Sequence, residues 1–410
     1  MMQVTTLVAA AFAVGVYAQA PTTMVTSASA ANPTAPAAAA PAPAPAATPA
    51  AGNPFAGVKL FANPYYASEV NSIAVPSMEA NPTARANVNA AKLAAEVPSF
   101  FWMDAQDKVK RIPEFVEAAK ASGGKSAIQM VVYDLPDRDC SALASNGEFS
   151  IAEGGAEKYK GYIDSIKKEI EAAPDMQFIL VVEPDSLGNL VTNMNVPKCQ
   201  GAKDTYLELT DYAIKGLNLP NVAMYLDAGH AGWLGWPANL QPAADIYAKV
   251  YKDAGSPKAV RGLATNVANY NAFEAATCPS YAESNQNCDE KKYINAFAPL
   301  LKAAGFPAQF IVDTGRNGAQ PTKQQAWGNW CNVIGTGFGV RPTSETNDPL
   351  VDGFVWIKPG GECDGTSNST APRFDSKCAS PDALQPAPQA GQWFQAYFEQ
   401  LVANANPKLE

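Results

Sequence analysis

An α/β fold with one parallel sheet of seven strands, able to close into a barrel, is predicted from three features of this 410-residue chain. Short β-rich apolar runs recur along it, segments of helical periodicity lie between them, and no Gly-rich dinucleotide fingerprint follows the first runs. Strands alternating with helices require crossover connections and therefore pair in parallel, and right-handed crossovers let the sheet curl toward closure. The missing fingerprint argues against an open, doubly wound sheet.

The predicted strands, in order, are Ser99–Met103, Ile128–Tyr133, Phe178–Val182, Val222–Leu226, Val260–Val267, Phe310–Val312 and Gly353–Ile357. Glu157–Glu171 and Asp204–Leu217 place apolar residues at three- and four-residue intervals, as an amphipathic helix does. Each run ends in a polar residue: Asp104, Asp134, Asp185, Asp227, Asn266, Asp313 and Lys358. In a barrel of parallel strands these ends gather at one rim, where active sites form, so the pattern predicts a carboxylate-lined cleft.

The segment ahead of the first strand is of another kind. Residues 1–20 carry an apolar stretch of signal-peptide length followed by small residues, and residues 21–54 are largely Ala and Pro, a composition that favours extended, solvated backbone. The folded catalytic region is therefore expected over 55–410. No charged side chain precedes Lys59, so the net charge of −9 belongs to that region. An acidic chain without a basic block is a poor nucleic-acid binder, and no later segment is long and apolar enough to cross a bilayer. The expectation is a secreted monomer. Seven cysteines in such a chain point to disulfides with one thiol left over, and Cys278 and Cys288 are close enough to staple a local loop. One histidine and no C-x-x-C pair predict no metal site, and nothing implies a cofactor. Asn368-Ser369-Thr370 is a candidate N-glycan site.

Chemistry concentrates after the strands. Asp134, Asp137 and Asp139 follow the second run, Glu183 and Asp185 the third, and Glu362 and Asp364 the last. Carboxylates crowded into one cleft raise each other's proton affinity, and glycoside cleavage uses such a pair to protonate a leaving oxygen and assist water. Trp233 and Trp236 lie in a Gly-rich loop, where flat indoles suit the apolar faces of sugar rings, whereas Trp102 and Trp330 could equally be packing residues. His230 has no Ser or Cys motif beside it, and reads as a hydrogen-bonding wall residue.

The segments VVYDLPDRDC, VVEPDSLGNLVTN, LDAGHAGWLGWPAN, RGLATNVANYN, QQAWGNWCNVIGTGFG and WIKPGGECDGTS, in this order, resemble the fungal glycoside hydrolase family 6 cellobiohydrolases, over residues 53–410. The resemblance implies a distorted seven-stranded parallel β/α barrel (TIM-like) with loops enclosing an active-site tunnel, and inverting hydrolysis of β-1,4-glucan, with cellobiose released from the non-reducing end of cellulose or cello-oligosaccharides. It implies Asp185 as general acid, Asp139 as the neighbour that holds its pKa up, Asp364 as candidate base, and a water relay through Ser145. Tyr133 would crowd the distorted sugar. Trp102 and Trp330 would be glycone-side platforms, and Trp233 and Trp236 leaving-group-side platforms. Lys358 and Glu362 would bond sugar hydroxyls, with His230, Asp227 and Asn266 in the same cleft. The implied disulfides are Cys140–Cys199 and Cys331–Cys378, leaving Cys278–Cys288 as the third and Cys363 free. Full-length segments at 137–147 and 360–391 resemble loops that roof a tunnel, which predicts processive chain-end cleavage. Many relatives carry a Cys-rich cellulose-binding module before the linker; with no cysteine before Cys140, none is expected here.

Overall fold

Eight parallel strands form one sheet: β1 (Lys59–Leu60), β2 (Phe101–Met103), β3 (Ser126–Val132), β4 (Gln177–Val182), β5 (Val222–Asp227), β6 (Val260–Thr265), β7 (Gln309–Asp313) and β8 (Val351–Val355). The computed structural model describes residues 52–410 apart from Glu283. The expected signal peptide and all but the end of the expected linker lie outside the described residues.

Seven strands coincide with the predicted runs, and β3 to β8 pair in chain order. The addition is β1. Its two residues, one a lysine, are too few to read as an apolar run, yet they pair with Ser126 and Ala127 at the start of β3. β2 pairs with Met130–Val132 further along the same edge, so β1 and β2 lie end to end. The barrel stays open on the far side. Among the described residues, one backbone bond, from Phe100 N–H to Trp356 C=O at 2.9 Å, crosses the seam between β2 and β8.

Alternation along the strands builds two cores. Phe178, Leu180 and Val182 of β4 point outward onto the helices, including Gly155–Glu171 and Pro197–Gly216, while Ile179 and Val181 fill the barrel with Val131, Tyr225, Ile311 and Val355. Strands buried on both faces in this way read as the continuous apolar runs seen in the sequence. Asn53 and Pro54, assigned to the linker from composition, belong to the folded body. The buried Asn53 amide donates to Asp352 C=O at 2.7 Å and its Oδ1 accepts the Phe55 N–H, while Pro54 C=O accepts from Gln177. Phe55 then plugs the barrel interior.

Candidate active site

The C-terminal ends of the strands carry a cluster of strained backbone. Asp137, Asp139, Glu183 and Asp185 have φ of 53°, 50°, 49° and 57°, a left-handed conformation that costs non-glycine residues energy and gathers at functional sites. Surrounding bonds hold the β4 corner in place. Ser186 Oγ donates to Glu183 C=O at 2.6 Å, the Asn189 amide donates to Asp185 C=O, and Asp227 Oδ2 accepts the Asp185 N–H at 3.1 Å. The Glu183 carboxylate is consumed below, accepting from Tyr159 Oη at 2.7 Å and from the Asp134 and Leu135 N–H groups. The Asp185 side chain is left facing the cavity. Burial, reinforced by the charge of Asp227, pushes its pKa up to about 8, so it holds a proton well above the ordinary carboxylate range.

Asp139 stands beside it with its pKa raised by burial and by the charge of Asp185, against a hydrogen bond from Ser145. The two are coupled, so ionising either one makes the other hold its proton more tightly. Arg138, between Asp137 and Asp139 in the chain, knits the loop. It donates to the carbonyls of Ser145 (3.0 Å), Asp104 (2.7 Å) and Tyr133, pairs with buried Asp134 at 3.1 Å, and lies 4.3 Å over the Tyr133 ring.

Asp364 is the opposite case. Burial alone would raise its pKa, but Arg316, donating to both oxygens at 2.8 Å, and Lys358 at 4.0 Å outweigh it and hold the carboxyl below its ordinary value. Tyr270 Oη and the Asn332 N–H also donate to Oδ2, at 2.9 and 2.8 Å. It is a fixed negative charge.

A cavity of about 720 Å³ contains these groups, and Trp102, Trp330, Trp233 and Trp236 line it together with Tyr133, Ser145, His230, Lys358 and Glu362. Each indole is half-buried, and three are tied at the edge. Trp102 Nε1 donates to Ile357 C=O across the seam, Trp233 Nε1 to Thr192 Oγ1 at 2.7 Å, and Trp236 Nε1 to Gly232 C=O at 2.9 Å. Trp330 packs on the Cys331–Cys378 disulfide and Ala144. The glycines around Trp233 and Trp236 are explained by close approach: a Cβ at Gly232 would lie 2.3 Å from the Trp327 ring, and one at Gly235 2.3 Å from Ala231 C=O. His230 Nδ1 faces the Gly232 N–H and the Asn271 amide, both at 3.2 Å, which makes it an acceptor. Burial pushes its pKa down to about 4, so the ring is neutral and presents Nε2–H as a donor.

Twelve of the expected site residues line this one cavity; two do not. Asn266 is fully buried, bonding Asp313 C=O and both backbone groups of Asn271, so it anchors a loop rather than meeting a ligand. Asp227, 3% exposed, is spent on the Asp185 and Gly229 N–H groups. The expectation of seven cleft-facing strand ends is corrected similarly. Asp104, Asp185 and Lys358 reach the cavity, while Asp227, Asn266 and Asp313 are buried organisers of backbone and Asp134 is buried against Arg138. Asp313 alone accepts the N–H groups of Gly315, Ala268, Ile357 and Lys358. Strand ends need turn-forming acceptors as well as catalytic groups, and sequence does not separate the two.

Sequence reasoning gave no role to Arg138, Arg316, Trp327 or Asn189. The only signal for Arg138 was its place between two aspartates.

The expected roof is present. Leu143 N–H donates to Asp375 Oδ2 at 3.2 Å and Arg373 donates to Asn146 C=O at 3.4 Å, joining the 137–147 and 360–391 loops over the cavity. Cys140–Cys199 and Cys331–Cys378 brace these loops, Cys278–Cys288 closes the third bridge, and Cys363 is free and buried.

A proton held on a buried carboxyl in a channel of indole faces is the equipment of a glycoside hydrolase. Comparison with known proteins narrows the class: the chain belongs to the glycosyl hydrolases family 6, whose profile matches residues 55–405. It is 64% identical over 364 residues to probable 1,4-beta-D-glucan cellobiohydrolase C of Aspergillus fumigatus, spanning 88% of this chain and 79% of that protein. The catalytic core domain of the cellobiohydrolase Cel6A from Chaetomium thermophilum is similar at 61% identity and a TM-score of 0.84, with 87% of this chain and 99% of that one covered. Cellobiohydrolase II (Cel6A) from Humicola insolens, solved with glucose and cellotetraose, matches at 60% identity and 0.84, covering 87% and 100%.

Proposed function

We propose that the protein is a secreted cellobiohydrolase that cleaves β-1,4-glucan with inversion and releases cellobiose from the non-reducing end. The observation that carries this is the position of Asp185, whose proton affinity is raised, in a roofed cavity with the four tryptophans along its wall. A roof favours threading a chain end over straddling an internal bond. Three disulfides suit an oxidising, extracellular setting.

Asp185 gives its proton to the leaving oxygen and becomes charged. In the reacting state Asp139 is ionised, and the new charge on Asp185 raises its proton affinity further, so a proton from the attacking water is drawn to it, with Ser145 bonded to it as the relay. Asp364 remains ionised under Arg316 and offsets the positive charge that develops on the sugar ring. Tyr133, edge-on to Trp102 at 5.2 Å, presses on the ring at the cleavage point.

The test is the product profile on amorphous cellulose, with the anomer followed by NMR. Cellobiose as the main soluble product, α-anomer first, is expected. A rapid fall in viscosity of carboxymethyl cellulose with little soluble sugar would instead mean internal cutting, and β-anomer first would contradict inversion.

A further inference from the structure

The loop that carries Trp233 and Trp236 is held from outside by a second loop. Asn285 Nδ2 donates to Ala231 C=O at 3.0 Å and Asn287 Nδ2 donates to Gly235 C=O at 2.6 Å, so both ends of the tryptophan loop are fixed. The two asparagines are buried, at 1% and 9% exposure, and set one another, because Asn285 Oδ1 accepts the Asn287 N–H at 2.9 Å. The disulfide between Cys278 and Cys288 closes the segment that contains them. From the same segment Tyr281 meets Trp327 edge-on at 5.9 Å, and Trp327 meets Trp236 edge-on at 5.9 Å. Behind this layer lies a cavity of about 550 Å³, lined by Cys278, Tyr281, Cys288 and Trp327 among others. Packing does not fill that side, so the two amides and the cystine hold the outer edge of a loop that Glu290, accepting the Ala231 N–H at 2.9 Å, Thr192 and buried Leu234 hold from within.

We propose that the Cys278–Cys288 loop is the positioning element of the leaving-group-side platforms, with Asn285 and Asn287 as its working side chains, and that it sets how the enzyme discriminates glucans by length. This rests on the reading of Trp233 and Trp236 as sugar platforms. Asn285 and Asn287 touch no substrate; they act through the indoles. A ring that shifts by a fraction of its own width loses stacking with the far sugar while the acid at Asp185, held by a different set of bonds, is undisturbed.

The test measures kcat and KM on cellotriose through cellohexaose, together with the unfolding midpoint, for wild type, Asn287→Ala, Asn287→Asp and the Cys278→Ser/Cys288→Ser double variant. Asn287→Asp keeps the size but turns the donor into an acceptor facing a carbonyl. All three variants are expected to raise KM for the longer substrates on the order of tenfold, with kcat little changed and the shortest substrates unaffected. A uniform change across all lengths, or a lowered midpoint with an unaltered length profile, would overturn the proposal. Wild-type enzyme that cleaves none of these sugars would overturn the glucan reading itself, and this inference with it.

Discussion

Asp227 takes the backbone N–H of Asp185 on its Oδ2 at 3.1 Å, which places a second carboxylate directly behind the proposed acid. Burial raises both groups, Asp185 to about 8 and Asp227 to about 7, and the charge of Asp227 adds to the rise at Asp185. Asp227→Asn keeps an oxygen for the N–H and removes the charge. The pKa of Asp185 then falls, and because the acid works only when protonated, the high-pH limb of kcat moves to lower pH. An unmoved limb would show that burial alone sets the acid.

Asp185→Asn removes the transferable proton and leaves the indoles in place. Turnover of cellotetraose should fall by about 10²- to 10⁴-fold. Binding, read from quenching of tryptophan fluorescence, should persist. Loss of both together would place Asp185 in binding rather than proton transfer.

Arg138 ties Asp104, Tyr133 and Ser145 by their carbonyls and is the partner of fully buried Asp134. Arg138→Met leaves those groups without their donor. Stranding a buried acceptor costs about 1–3 kcal/mol and four lose their donor, so the midpoint of denaturant unfolding should drop by the equivalent of about 3 kcal/mol or more. A change below 1 kcal/mol, roughly the worth of an exposed pair, would mean the network is dispensable.

Glu69 has a buried Oε2 with no hydrogen-bond partner, and burial followed by the charge of Glu362 pushes its pKa up to about 8. An unfolded glutamate titrates near 4.3, so the folded state binds this proton more tightly. The stability it contributes is complete below about pH 4 and is lost as pH rises through about 8. Glu69→Gln carries no charge and should flatten that loss: its unfolding temperature should decline less than wild type between pH 5 and pH 9. Parallel declines would exclude Glu69 as the source.

The fold was legible because strands buried on both faces leave long apolar runs, and β4 shows this with Phe178 to Val182 facing alternate cores. β1 was not, since two residues at a sheet edge leave no pattern. Within the site, the gathering of Asp185, Asp139 and the four tryptophans in one cavity was readable from residue type and resemblance. The difference between Asp185 and Asp313, both aspartates at strand ends, was not. One faces the cavity with its carboxyl free for chemistry, and the other spends its carboxyl on four backbone N–H groups, a distinction made by loops distant in sequence. Asn266 was misplaced for the same reason.

The seam between β2 and β8 is crossed by one backbone bond at Phe100 and by the Trp102 indole on Ile357. Trp102 stands on one side of it, and Lys358, whose ammonium lies 5.5 Å over the Trp102 ring, on the other. On the proposed reading, a sugar resting on that indole and bonded to that lysine would span the gap where a strand pairing is missing, and substrate would then behave as a removable rung of the sheet. Bound cello-oligosaccharide should slow hydrogen exchange at the Phe100 amide more than at amides in the middle of β4, and the empty barrel should breathe first along this line.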